Sequence, residues 1–175
     1  MVSVTLSYEE GLAAAVKSAH QMMLGIRKGW IGRDHGGRSG RSMGERWAHA
    51  LHGQLCEEAF CKAMNLFSRA SIEGISEGDP GGVEIRGTAV PGGHLIIPED
   101  SVRKYLNTPF VLVIGDWPDF RLIGWIYARD AQRQEWWRPH ERPASYWVPQ
   151  SSLNPIETLP VSKPLTAMET HGNGH

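Results

Sequence analysis

The sequence predicts an α+β domain built on a mixed central sheet, and three observations carry that expectation. Two capping boxes, Ser7-Tyr8-Glu9-Glu10 and Ser42-Met43-Gly44-Glu45, each open a segment of helical apolar spacing. Beyond them the period shortens to the alternation of strands, as in Val83-Glu84-Ile85-Arg86. The helices thus precede the strands instead of alternating with them, and no Gly-x-x-x-x-Gly-Lys-Ser/Thr phosphate loop is present, which sets a doubly wound nucleotide-binding fold aside.

In chain order, Leu12, Val16, Ala19, Met22, Met23 and Ile26 predict a first helix over residues 8 to 26. From Lys28 to Arg41, Gly32, Gly36, Gly37 and Gly40 mix with Arg33, Arg38 and Arg41, a composition expected to form a mobile basic loop. Trp47, Ala48, Leu51, Leu55, Ala59, Ala63 and Met64 mark the apolar face of a second helix ending near Asn65. Val83 to Arg86, the turn Pro91-Gly92-Gly93 and the apolar His94 to Ile97 together predict a hairpin. Phe110 to Ile114 is a continuous, β-branched apolar run of the kind that forms a central strand covered on both faces. Trp117-Pro118-Asp119 turns it into a further strand over residues 120 to 127, and prolines then leave room for one short strand around Tyr146 to Val148. Residues 1–160 read as a single domain and residues 161–175 as a disordered tail.

With 18 Lys+Arg against 19 Asp+Glu the net charge is -1, so attraction to nucleic acid must come from local basic patches. Cys56 and Cys61 stand five apart on a helix and point away from each other, which argues against a disulfide or a shared metal. No signal peptide and no run of the roughly 20 apolar residues needed to span a bilayer is present, so a cytoplasmic protein without a membrane partner is expected.

The acids hold the chemical signal. Glu58 has Lys62 four residues on for an ordinary ion pair, whereas Glu57 emerges beside Gly53, Phe60, Cys61 and Met64. Alternation places Glu84 and Arg86 on one face of their strand, and Gly81-Gly82 could fold Asp79 back toward Glu84. Converging carboxylates repel unless a cation lies between them, and hard oxygen donors suit Mg²⁺ or Mn²⁺. A boundary Glu57, a turn Asp79 and a simple Glu84–Arg86 pair form the plainer alternative.

Gly53-Gln54-Leu55-Cys56-Glu57-Glu58-Ala59, then Asp79, then Glu84-Ile85-Arg86 resemble the helical Glu, Asp and (D/E)XK motifs of PD-(D/E)XK nuclease-like proteins, including small phage-associated ones. The likeness extends over residues 45 to 160 through Leu95 to Asp100, the strand before Asp116, Gly124-Trp125-Ile126 and Tyr146 to Gln150. It implies a restriction-endonuclease-like core flanked by helices and a Mg²⁺- or Mn²⁺-dependent hydrolysis of DNA. Asp79, Glu84 and the Ile85 carbonyl would hold the metal, with Glu57 binding it directly or through water. Arg86 stands in the usual lysine position, where it keeps a positive charge but does not readily release a proton. A non-catalytic relative that binds nucleic acid or protein in phage–host conflict is the alternative.

Arg33, Arg38 and Arg41, together with Trp136, Trp137 and Arg138, are the candidate DNA contacts, since cations hold phosphates and aromatic rings stack on bases. Packing of Trp136 or Trp137 over a sheet edge is the alternative. Subunit number is not legible, a homodimer being one option.

Overall fold

The computed structural model describes residues 1–29, 42–66, 80–141 and 143–160. Arg33, Arg38 and Arg41 of the expected basic loop, Asp79 and the expected tail 161–175 lie outside them. The chain opens with strand β1 (Val2–Thr5), then helices α1 (Tyr8–Arg27) and α2 (Met43–Met64). Strands β2 (Glu84–Thr88) and β3 (Leu95–Pro98), helix α3 (Glu99–Lys104), and strands β4 (Pro109–Asp116), β5 (Asp119–Tyr127), β6 (Trp137–Arg138), β7 (Ser145–Val148) and β8 (Asn154–Pro155) follow. Both long helices begin where the capping boxes place them. The Ser7 hydroxyl accepts from Glu10 N at 3.3 Å while the Glu10 carboxylate accepts from Ser7 N at 2.6 Å. Ser42 and Glu45 repeat the arrangement at 3.2 and 2.7 Å. Because each cap satisfies helix-end N–H groups that no intrahelical carbonyl reaches, Ser7→Ala is expected to lower stability by about 1 kcal/mol, read by urea denaturation.

The two helices lie antiparallel, tied by Lys17–Glu58 at 3.0 Å, Gln54–Gln21 at 3.3 Å and Lys62–Glu10 at 2.8 Å. On α1 the buried positions are the small residues Ala14, Ser18 and Gly25, not the large apolar ones that mark the helix in sequence.

The main sheet runs β1-β5-β4-β2, with β8 beside β5. Only β2 and β4 pair in parallel within it, so the sheet is mixed as expected. β4 is central, and its side chains alternate between two apolar clusters. Val111 and Val113 join Cys56, Ala59 and Phe60 of α2, Ile85 and Trp125. Phe110, Leu112 and Ile114 join Leu95, Ile97, Val102 and Val148 on the opposite side. That second side is covered by α3 and by a separate sheet of order β3-β7-β6. The expected hairpin of residues 83–97 is therefore corrected: Gly93 N does donate to Val90 O at 2.9 Å in a turn, but β2 pairs with β4 and β3 with β7. The two halves bury their apolar side chains in different clusters, and that burial outweighs the local closure of the turn. Among the described residues no helix is long and apolar enough to cross a membrane.

Candidate functional site

Strand β2 lies at one end of the main sheet among the described residues and carries Glu84 and Arg86 at its head. It is entered through the tight turn Pro80–Gly82, in which Gly81 (φ 78°) and Gly82 (φ 74°) both take the left-handed conformation that glycine tolerates. Val83 and Ile85 are buried in the cluster under α2. Glu84 and Arg86, in register with Phe110 and Leu112, therefore belong to the opposite face. There the Arg86 guanidinium donates to the Glu84 carboxylate at 3.2 Å and lies 5.5 Å from the centre of the Phe110 ring. The Glu84 side chain is only 12% exposed, so its charge is much less screened than a surface carboxylate's. Lys104, at the end of α3, is a second nearby cation. Its ammonium is held above the ordinary lysine range, chiefly by its hydrogen bond with Tyr105 and with a smaller attraction from Glu84.

Glu57 belongs to α2, which packs on the other face of β2. On α2, residues 54, 58 and 62 bind α1, while Cys56, Ala59 and Phe60 face the sheet. At 100° per residue Glu57 falls on the flank turned away from α1, on the same side as Gly53 and Phe60. Its carboxylate accepts from Gln54 Nε2 at 2.9 Å. The structure thus places Glu57 on the helix that covers one face of β2, and Glu84 on the opposite face of that strand. Among the described residues no group of three or more acids, histidines or cysteines is close enough to hold a metal; Asp79, the third acid of the expected set, is not among them.

The DNA-contacting residues expected from sequence divide. Trp136 is corrected: it is buried in the second apolar cluster beneath the Arg133 guanidinium, 4.6 Å from its ring centre, and offers no face for a base. Trp137 is half-buried and packs on Tyr146 with ring centres 4.7 Å apart. Arg138 is exposed, donating to the backbone carbonyls of Glu135 and Trp137 at 2.9 Å each.

Sequence reasoning gives His52 no role, since it lacks the acidic partner pattern of a zinc helix. It sits between α2 and the sheet, with Nε2 2.9 Å from the carbonyl of Gly115, and nothing in the local pattern reveals a partner 63 residues away. Beside it lies Cys56, whose thiol is pushed up from its ordinary 9.0 to about 12, first by burial and then by the carboxylates of Glu57 and Asp116. Cys56 and Cys61 are free thiols, as the spacing implied, and both are buried. A thiol pKa higher in the folded than in the unfolded chain means that protonated Cys56 supports folding fully below about pH 9, and that this support is lost as pH rises through about 12. Alkaline unfolding of Cys56→Ala is accordingly expected to be shallower than wild type across that window, measured by circular dichroism.

In comparisons with known proteins, no family model, curated protein or solved structure matches this chain.

Proposed function

We propose that this chain is a metal-dependent nuclease that hydrolyses DNA phosphodiester bonds on a restriction-endonuclease-like core. The observation that carries the reading is the head of β2: a largely buried carboxylate, Glu84, and a cation, Arg86, on one face of the last described strand of the main sheet, reached through a glycine turn and packed under the helix that bears Glu57. The donor set has the right chemistry for Mg²⁺ or Mn²⁺, being carboxylates of Asp79 and Glu84 and the backbone carbonyl of Ile85. When bound, the ion would act as a Lewis acid on the phosphate and favour ionisation of the attacking water. Glu57 orients that water or adds a donor. Arg86, with its planar fork of donors, holds the scissile phosphate and offsets the charge that builds on it. Lys104 adds a second positive charge on the same side and draws the DNA backbone in. The test is purified protein with supercoiled and linear DNA in Mg²⁺ or Mn²⁺, with chelator as control. Absence of cleavage on every substrate and with both ions would sink the reading.

One observation favours a second reading, a non-catalytic protein that binds nucleic acid or another protein on the same scaffold. Arg86 already neutralises Glu84, and an arginine is poorly suited to passing a proton. DNA binding that survives both chelator and Glu84→Gln, with no cleavage, would mark this alternative.

A further inference from the structure

Gln54 is one of the polar side chains buried among the described residues, at 5% exposed. It lies on α2 next to Leu55 and Cys56, which belong to the apolar cluster between that helix and the sheet. An amide sealed from water is tolerated only when its hydrogen bonds are made, so its partners identify what it holds. Nε2 donates twice, to the Glu57 carboxylate at 2.9 Å and to Gln21 Oε1 at 3.3 Å. An ionised carboxylate can only accept, which fixes the nitrogen, and not the amide oxygen, on the Glu57 side.

The two bonds do different things. The one to Gln21 crosses to α1 and joins the helices, alongside Lys17–Glu58 and Lys62–Glu10. The one to Glu57 stays within α2, three residues along, and joins no two elements. A contact of that kind adds little to stability. Its consequence is orientation: a glutamate side chain samples several staggered rotamers, and a charge-assisted bond selects the one that turns the carboxylate toward its donor. We propose that Gln54 is a positioning residue for Glu57, held in turn by Gln21 of α1, an assignment that deepens the nuclease reading and rests on the role given there to Glu57. A carboxylate that orients a water or adds a donor to a cation acts over a narrow range of positions, so a fixed rotamer raises the fraction of molecules ready to react. Through Gln21, α1 takes part in the site although none of the site's acids lies on it.

Gln54→Leu, close in volume and apolar, tests this in the full chain. Stability should hold or rise, because a buried amide is replaced by a side chain suited to its apolar neighbours, and Gln21, which is exposed, can turn to water. Cleavage of DNA in Mg²⁺ should nevertheless fall by about 10-fold in kcat, the lower end of what loss of a ligand-orienting partner costs, with KM for DNA unchanged. In a Glu57→Ala background the same substitution should cost nothing further, since no carboxylate is left to orient. Gln21→Ala, which leaves α2 untouched, should lower kcat in the same direction by a smaller factor. Independently of turnover, the Glu57 carboxyl carbon, observed by ¹³C NMR without metal and assigned by its absence in Glu57→Ala, should shift in Gln54→Leu. An unmoved signal, or an equal rate loss with and without Glu57, overturns the proposal. Wild-type protein that cleaves no DNA while the signal does move would fail the nuclease reading and leave the orienting contact standing.

Discussion

Glu84→Gln is expected to lower metal-dependent DNA cleavage by at least about 100-fold while leaving the fold intact. The substitution is nearly isosteric, and its amide oxygen still accepts from the Arg86 guanidinium that now lies 3.2 Å from the carboxylate. What disappears is the negative charge, the property a hard divalent cation selects. Two measurements separate this outcome from damage to the strand. Mn²⁺ should raise the melting temperature of the wild type and not of the variant, and DNA affinity at low salt should hold or rise, because Arg86 and Lys104 are then less neutralised. Asp79→Asn should be as severe. Glu57→Gln should cost less, since Glu57 belongs to α2 on the other face of β2 and its carboxylate accepts from Gln54. Wild-type cleavage rates in Glu84→Gln would remove the head of β2 from the chemistry altogether.

The parts of this fold that were legible in sequence are those whose causes are local. A capping box satisfies backbone donors within four residues, so Ser7 and Ser42 announce their helices correctly. β4 is legible because a strand covered on both faces needs apolar residues at every position, and Phe110 to Ile114 supplies them. Pairing is a different matter. Alternation in residues 83–86 specifies a strand with two unlike faces but is silent about its neighbour, and the partner, β4, comes after β3 in the chain. The same limit applies to exposure. Helical period in α1 locates an apolar stripe without saying whether the core or the surface receives it, and two adjacent tryptophans with a nearby arginine do not disclose that Trp136 is interior. At the candidate site, sequence identified Glu84 and Arg86 as sharing a face, which the register with Phe110 and Leu112 bears out. Lys104 was not legible there, because it belongs to α3 and comes under the influence of Glu84 only in three dimensions.

Gly87→Ala is expected to destabilise the protein by about 2 kcal/mol, and Cys56→Ala is expected to relieve most of that loss. Gly87 faces α2, where a Cβ would overlap Cys56 Sγ and stand 3.2 Å from both Cys56 Cβ and His52 Cε1. The absence of a side chain here is what lets the helix settle on the edge strand. An added methyl group must therefore push α2 outward, strain the contact of His52 with the Gly115 carbonyl and carry Glu57 away from the head of β2. In Cys56→Ala the overlapping sulfur is gone. Removing it from the wild type leaves a small void costing about 1 kcal/mol, whereas in the Gly87→Ala background the new methyl group fills part of that void. The two changes should thus be strongly non-additive, measured as a double-mutant cycle by chemical denaturation. The metal response gives a second readout of the same displacement. The Mn²⁺-dependent rise in melting temperature should shrink in Gly87→Ala and recover in the double variant, if the spacing between α2 and β2 governs how closely Glu57 approaches the cation. Additive costs in the cycle would show that helix and strand adjust independently, and the link between their packing and the site would fail.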